Sequence, residues 1–210
     1  MRMTMFALLL GLATAVAGTS AEACSRKVSA KATKTVVPAA KIDQSLLNAA
    51  VRAEVNFHRC RAGLSKLKDA PRGMSKQTLI HSRWMAETNQ LQHKNNIRGS
   101  KSLQQRVKSA GVRKVRTGAE NIGRVHRYQI DNKHFKIVSS SACHFTHNGQ
   151  VLPAHTYASL ARHIVNLWMN SPGHRKNILN RQVSQVTTQV AFDPKSQYCG
   201  SFWLTQALIG

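Results

Sequence analysis

Two long apolar runs close the chain, Val183 to Phe192 and Tyr198 to Ile209, and they constrain the fold more than any other stretch. Both are rich in β-branched and aromatic residues, and the turn sequence Asp193-Pro194-Lys195-Ser196 separates them. They read as paired antiparallel strands. Helices are expected to cover them. Asp43 can cap a first helix, in which Leu46, Ala50, Ala53, Phe57, Cys60 and Leu64 recur at three and four residues. Ser75 can cap a second, roughly Lys76 to Gln92, with Ile80, Trp84, Glu87 and Leu91 on one side. Ser102 can cap a short third helix ending at Gly111, and Tyr157, Leu160, Ile164, Leu167 and Trp168 form the stripe of a fourth. Val115, Ile122 and Val125 indicate a strand interrupted around Gly118-Ala119-Glu120. Phe135 to Val138 and Cys143 to Phe145 indicate a hairpin that turns near Asn148-Gly149. The pattern predicts an α+β sandwich, a central antiparallel sheet flanked by helices.

The other end of the chain reads as an export signal. Arg2 precedes an apolar run, Met5 to Ala17, that is too short to span a bilayer. Ala21-Glu22-Ala23 has the small-x-small pattern of a cleavage site, with Ala15-Val16-Ala17 as a second candidate. Residues 1–23 are therefore assigned to a secretory signal peptide. Cys24 stands where a lipoprotein cysteine would, but Ala21 and Glu22 match that motif poorly. Residues 24–41 are basic, rich in Ala, Thr and Val, and without periodicity, so they read as a flexible linker. Residues 42–210 make one domain. No later stretch is long and apolar enough for a transmembrane segment, and the product is expected to be secreted or periplasmic and monomeric.

Four cysteines in an exported chain point to disulfides. Cys143 and Cys199, both in strand-like regions, are the preferred pair, and Cys24 with Cys60 is the remaining one. The net charge is +23, and it belongs to the exported part, since Arg2 and Glu22 offset each other. Such a field favours anionic partners: a phosphate- or carboxylate-rich cell-envelope polymer, or an acidic lipid. No nucleic-acid motif is present, which argues against a sequence-specific nucleic-acid partner.

Of the eight carboxylates, Glu22 falls in the signal and the other seven can be weighed singly. Asp43 has a capping role; Asp69, Asp131 and Asp193 sit in turns; Glu54 and Glu87 read as helix-face residues. Glu120 alone lies in a strand-like, apolar context, where a carboxylate needs a partner or a cleft. His93 ends the second helix. His174 follows Ser171, which can serve as an N-cap, and Pro172, which suits a first helical position. The helix dipole there disfavours imidazolium, so a neutral ring is expected. Cys143-His144-Phe145-Thr146-His147 looks like a metal-ligand run, but an oxidised Cys143 suits an exported chain better. His58, His81, His126, His134, His155 and His163 fall into no pattern. Lys94 to Arg116 contains eight basic residues and no acid, a positive band between His93 and Glu120.

Taken in order, these segments resemble the CAP superfamily, which groups cysteine-rich secretory proteins, antigen 5 and plant pathogenesis-related class 1 proteins. The matching stretches are Arg61 to Leu67, His81 to Ala86 through His93, Gln105-Arg106-Val107 with Ala110-Gly111, Gly118 to Ile122, Trp168 to Leu179 and Phe202 to Gln206. The likeness is greatest to compact bacterial members. It covers about 42–210, with residues near 127–155 reading as a hairpin insertion. The resemblance implies an α-β-α sandwich and a cleft of two histidines and two glutamates. His93, Glu120 and His174 match three of these, and Ser171 stands where the second glutamate would be. It also implies three functional readings. The first is a binding module whose cleft and basic rim engage an anionic envelope, lipid or polymer ligand. The second is a metal-assisted, protease-like hydrolase in which His93 and His174, with Glu120, hold a divalent metal such as zinc and Glu120 serves as ligand or base. The third is a structural extracellular domain with a vestigial site.

Overall fold

The computed structural model describes residues 24–210. The expected signal peptide, with its candidate cleavage sites, lies outside the described residues. The central sheet has the strand order β1-β6-β7-β2, built from β1 (Lys68–Asp69), β6 (Gln185–Asp193), β7 (Ser201–Ile209) and β2 (Gly118–His126). β7 runs antiparallel to both long neighbours, with Val190 opposite Leu204 and Glu120 opposite Ala207. β1 adds a two-residue parallel edge. All nine residues of β7 are buried, because helices cover both sides of the sheet.

Period-2 alternation along β7 divides the core. Phe202, Leu204 and Leu208 join Leu47, Val51 and Val55 of α2 (Gln44–Arg61) and Leu160, Ile164 and Trp168 of α5 (Tyr157–Asn170). On the other face Trp203 packs with Trp84 and Met85 of α3 (Arg72–Thr88). Ala207 and Ile209 pack with Met74, against Leu103 and Val107 of α4 (Leu103–Ser109). The layers are thus helix, sheet and helix, as the sequence pattern and the family likeness both imply.

Several local expectations change. α3 begins at Arg72 rather than Lys76, and Pro71 precedes it without a side-chain cap. Ser75 lies inside the helix and hydrogen-bonds Thr187. α3 ends at Asn89, whose φ of 52° takes the left-handed turn that stops a helix. β2 is not interrupted: it starts at Gly118 and pairs without a break through His126. The tract 24–41 is not a flexible linker in this structure. It carries a short helix, α1 (Ala30–Lys34), buries Ala32 and Val37, and bridges Val36 to Thr156. Its lack of periodicity reflects irregular chain held by a few apolar contacts and by the Cys24–Cys60 disulfide. That bond engages the Cys24 sulfur, leaving no thiol there for a lipid.

The segment before α5 forms a second sheet, β3 (Lys136–Ser139), β4 (His144–His147) and β5 (Gln150–Val151), in that order. Asn148 and Gly149 link β4 to β5, both with positive φ (48° and 79°), which is why an Asn-Gly pair serves there. Ile130, Phe145 and Leu152 make its small core, and the Cys143–Cys199 disulfide fastens it to the loop between β6 and β7. Both expected disulfides are present.

Candidate functional site

Three elements meet at the start of β2. Glu120 is its third residue and shares a face with Ile122, so its side chain turns toward α3 and α4. The carboxylate is 5 % exposed and takes three neighbours. Arg106 Nη2 donates to Oε2 in a close ion pair, and His93 Nδ1 lies 3.0 Å from Oε1. His81 Nε2 sits at 3.9 Å from Oε1, beyond hydrogen-bond length. His93 comes from the loop after α3 and remains 55 % exposed, so its Nε2 edge faces the solvent side of the cluster.

Arg106 went unnoticed as a site residue in the sequence, although a signal was there. It lies three residues after Leu103 and four before Ala110, on the buried stripe of α4, and a charge on such a stripe needs a buried partner. Only 1 % of the residue is exposed. Its other bonds go to carbonyls, Ser100 at 2.8 Å and His93 at 3.3 Å. One guanidinium therefore fixes the carboxylate and the backbone that carries His93.

His81 is the second residue of this kind. It is fully buried and stacks on Trp84 with ring centroids 5.8 Å apart. Asn95 accepts from the Ile97 amide, so its NH2 group donates to His81 Nδ1 at 2.9 Å. The His81 proton therefore sits on Nε2, facing Glu120. Burial, and then the Arg106 charge, push the His81 pKa down to about 4, so the ring is neutral.

His174 occupies α6 (Pro172–Ile178), which begins at Pro172 as the Ser-Pro pattern implies. Ser171 is the N-cap residue, but its hydroxyl makes no capping bond. The His174 carbonyl accepts from Asn121 Nδ2 at 3.4 Å. Asn177, from the same helix, donates to the Glu120 carbonyl at 3.2 Å and to Asn121 Oδ1 at 2.8 Å. These bonds hold α6 against the β2 edge. The His174 pKa lies below its ordinary value, through burial first and then the proximity of His93.

The cluster does not fit a three-ligand metal centre. Each Glu120 oxygen already faces one hydrogen-bond partner, His93 at Oε1 and Arg106 at Oε2. Among the described residues no three His, Cys, Asp or Glu side chains converge as a metal set. Cys143 is closed in its disulfide and is not a ligand. Around the cluster, Lys94, Arg98, Lys101, Lys108, Arg113, Lys114 and Arg116 are all exposed, and among the described residues none of them is in an ion pair with a carboxylate.

A central sheet covered by helices on both faces makes this an α-β-α sandwich domain. Residues 52–208 match the model of the cysteine-rich secretory protein family, and the chain belongs to that family, the CAP family. No curated protein matches it in sequence. Among solved structures it is similar to an outer surface protein from Borrelia burgdorferi, at 14% identity and a TM-score of 0.52, covering 81% of this chain and 98% of that one. It is also similar to an extracellular protein containing an SCP domain from Bacillus anthracis, at 19% identity and a TM-score of 0.49, covering 79% of this chain. The chain spans 41% of the length of that protein.

Proposed function

We propose that this chain is an exported CAP-family binding domain whose cleft, formed by His93, Glu120 and His174, and whose basic rim engage an anionic polymer or acidic lipid of the cell envelope. One observation carries this reading. The site's carboxylate is consumed by internal partners, while the His93 imidazole and seven basic side chains stay open to solvent. Glu120 then positions, and the surface around it binds. Export is supported by the two disulfides, which persist in oxidising compartments, and by the absence of any helix long and apolar enough to cross a membrane among the described residues.

Retention on immobilised heparin and on phosphatidylglycerol vesicles tests the proposal. Binding should weaken steeply with added salt, survive a chelator and survive Glu120→Gln in protein that remains folded. Salt-independent binding, or loss of binding on chelation, would overturn it.

A further inference from the structure

A cavity beside the tract 24–41 lies at the opposite end of β2 from Glu120. Its volume is about 500 Å³, within the range of small-molecule sites. Its walls come from the tract 24–41, from α5 and from the loop after β2, and they include Arg26, Lys133, Arg162, His155, His163 and Asn166. Asp131 is the one carboxylate in that lining. It is already held by His126, through the backbone amide at 3.0 Å and Nδ1 at 2.6 Å, and His163 Nε2 lies 3.8 Å away.

The two arginines are arranged unusually. Both use Nε on the same buried carboxylate, Glu54: Arg26 at 2.9 Å and Arg162 at 3.4 Å. Glu54 is 1 % exposed at its side chain, so it acts as an anchor beneath the wall. One negative charge holds two guanidinium groups through Nε, and among the described residues their Nη atoms make no hydrogen bond. Arg26 is steadied by the Phe57 ring, 3.8 Å from its central carbon. Lys133 adds a third cation without a carboxylate of its own among the described residues. A second observation points independently to a ligand. His155, 3 % exposed, bonds Ser159 through Nδ1 at 3.0 Å, while its Nε2 is buried with no hydrogen-bond partner among the described residues. A buried polar atom of that kind is normally satisfied.

We propose that this cavity is a second binding site, distinct from the His93 cleft, for a sugar-sized phosphomonoester. An anionic head suits a wall in which Arg26, Arg162 and Lys133 outnumber the held carboxylates Glu54 and Asp131, and guanidinium edges bind phosphate oxygens in pairs. The volume exceeds what a bare ion needs and leaves room for a sugar ring against Gln129, Thr33 and Asn166.

Calorimetric titration of the whole protein with glucose 6-phosphate, and with glucose as the uncharged control, tests this. The variants are Asn166→Asp and Lys133→Gln, both at exposed positions, so each should keep the wild-type melting temperature. A third variant, Lys108→Glu/Arg113→Glu, changes charge on the rim near His93 instead. The proposal expects saturable one-to-one binding of glucose 6-phosphate, no binding of glucose, and at least a tenfold loss in the two cavity variants only. Absence of saturable binding would overturn it. So would unchanged affinity in Asn166→Asp, or an equal loss in the rim variant, which would mark a diffuse effect of net charge. Neither result depends on whether the His93 cleft binds a polymer.

Discussion

Arg106 and Glu120 form the ion pair on which the candidate site rests. Removing one member of a buried pair strands the other charge, at a typical cost of about 3–5 kcal/mol. Arg106→Met should therefore destabilise the protein by about that much in urea unfolding, and adding Glu120→Gln should recover part of the loss. An additive double mutant would show that the two side chains do not couple. His155 makes a pH-dependent contribution. Burial, followed by the charges of His163 and Lys133 and against the attraction of Asp131, lowers its pKa from 6.5 to about 4. The folded state thus prefers the neutral ring and the unfolded chain takes the proton first. Stability is full above pH 6.5, falls as pH drops toward 4, and is flat below, a total of roughly 3 kcal/mol. His163 shifts the same way, through burial first. Melting curves between pH 7.5 and 4.5 should show a shallower slope for His155→Gln than for wild type; parallel profiles would contradict this. At this scale the sequence was least legible. Glu120 stood out because a carboxylate in an apolar strand is conspicuous, and His93 and His174 stood out by family motif. His81 and Glu54 sat on helices where a charge reads as solvated until its burial is known, and Arg106, although on the apolar stripe of α4, was hidden in a run of basic residues.

At the scale of elements, periodicity carried the fold. α2 and α4 start at the Asp43 and Ser102 caps and α5 falls on its stripe, with Thr156 as a cap the sequence reading lacked. The apolar face α2 buries is Leu47, Ala50, Val51 and Val55, so of the stripe read from Leu46 to Leu64 only Ala50 is fully buried. The tract 24–41 was illegible because nothing repeats in it; its order comes from a disulfide and from contacts distant in sequence. Cys24→Ser/Cys60→Ser should therefore release that tract, costing about 4 kcal/mol in the chain-entropy model for a separation of 36 residues, and expose it to limited proteolysis. Resistance equal to wild type would show that the apolar contacts suffice. Gly123 marks where α5 approaches β2 most closely. A Cβ there would lie 2.5 Å from Ile164 Cδ1, beside the bond from Trp168 Nε1 to the Ile122 carbonyl at 2.9 Å. Gly123→Ala should cost about 1–3 kcal/mol by overpacking, measurable as a lower urea midpoint with an unchanged slope.

Across the whole molecule, the seven carboxylates outside the signal stretch are mostly committed internally. Asp43, Glu54, Asp69, Glu120 and Asp131 pair with cations or histidines, and Asp193 ties its own turn. The 31 lysines and arginines far outnumber the eight acids, so a net charge of +23 is carried at the surface of one domain. If the rim beside His93, and not charge in general, binds the anionic ligand, the position of the basic residues must matter as well as their number. The most direct measurement compares two triple charge reversals on heparin across a salt gradient. One is Lys94→Glu/Arg98→Glu/Arg113→Glu at the rim. The other, with the same net charge, is Lys34→Glu/Lys66→Glu/Lys76→Glu at exposed positions elsewhere. The account predicts that the rim variant elutes at much lower salt while the other stays near wild type; equal loss in both would contradict it.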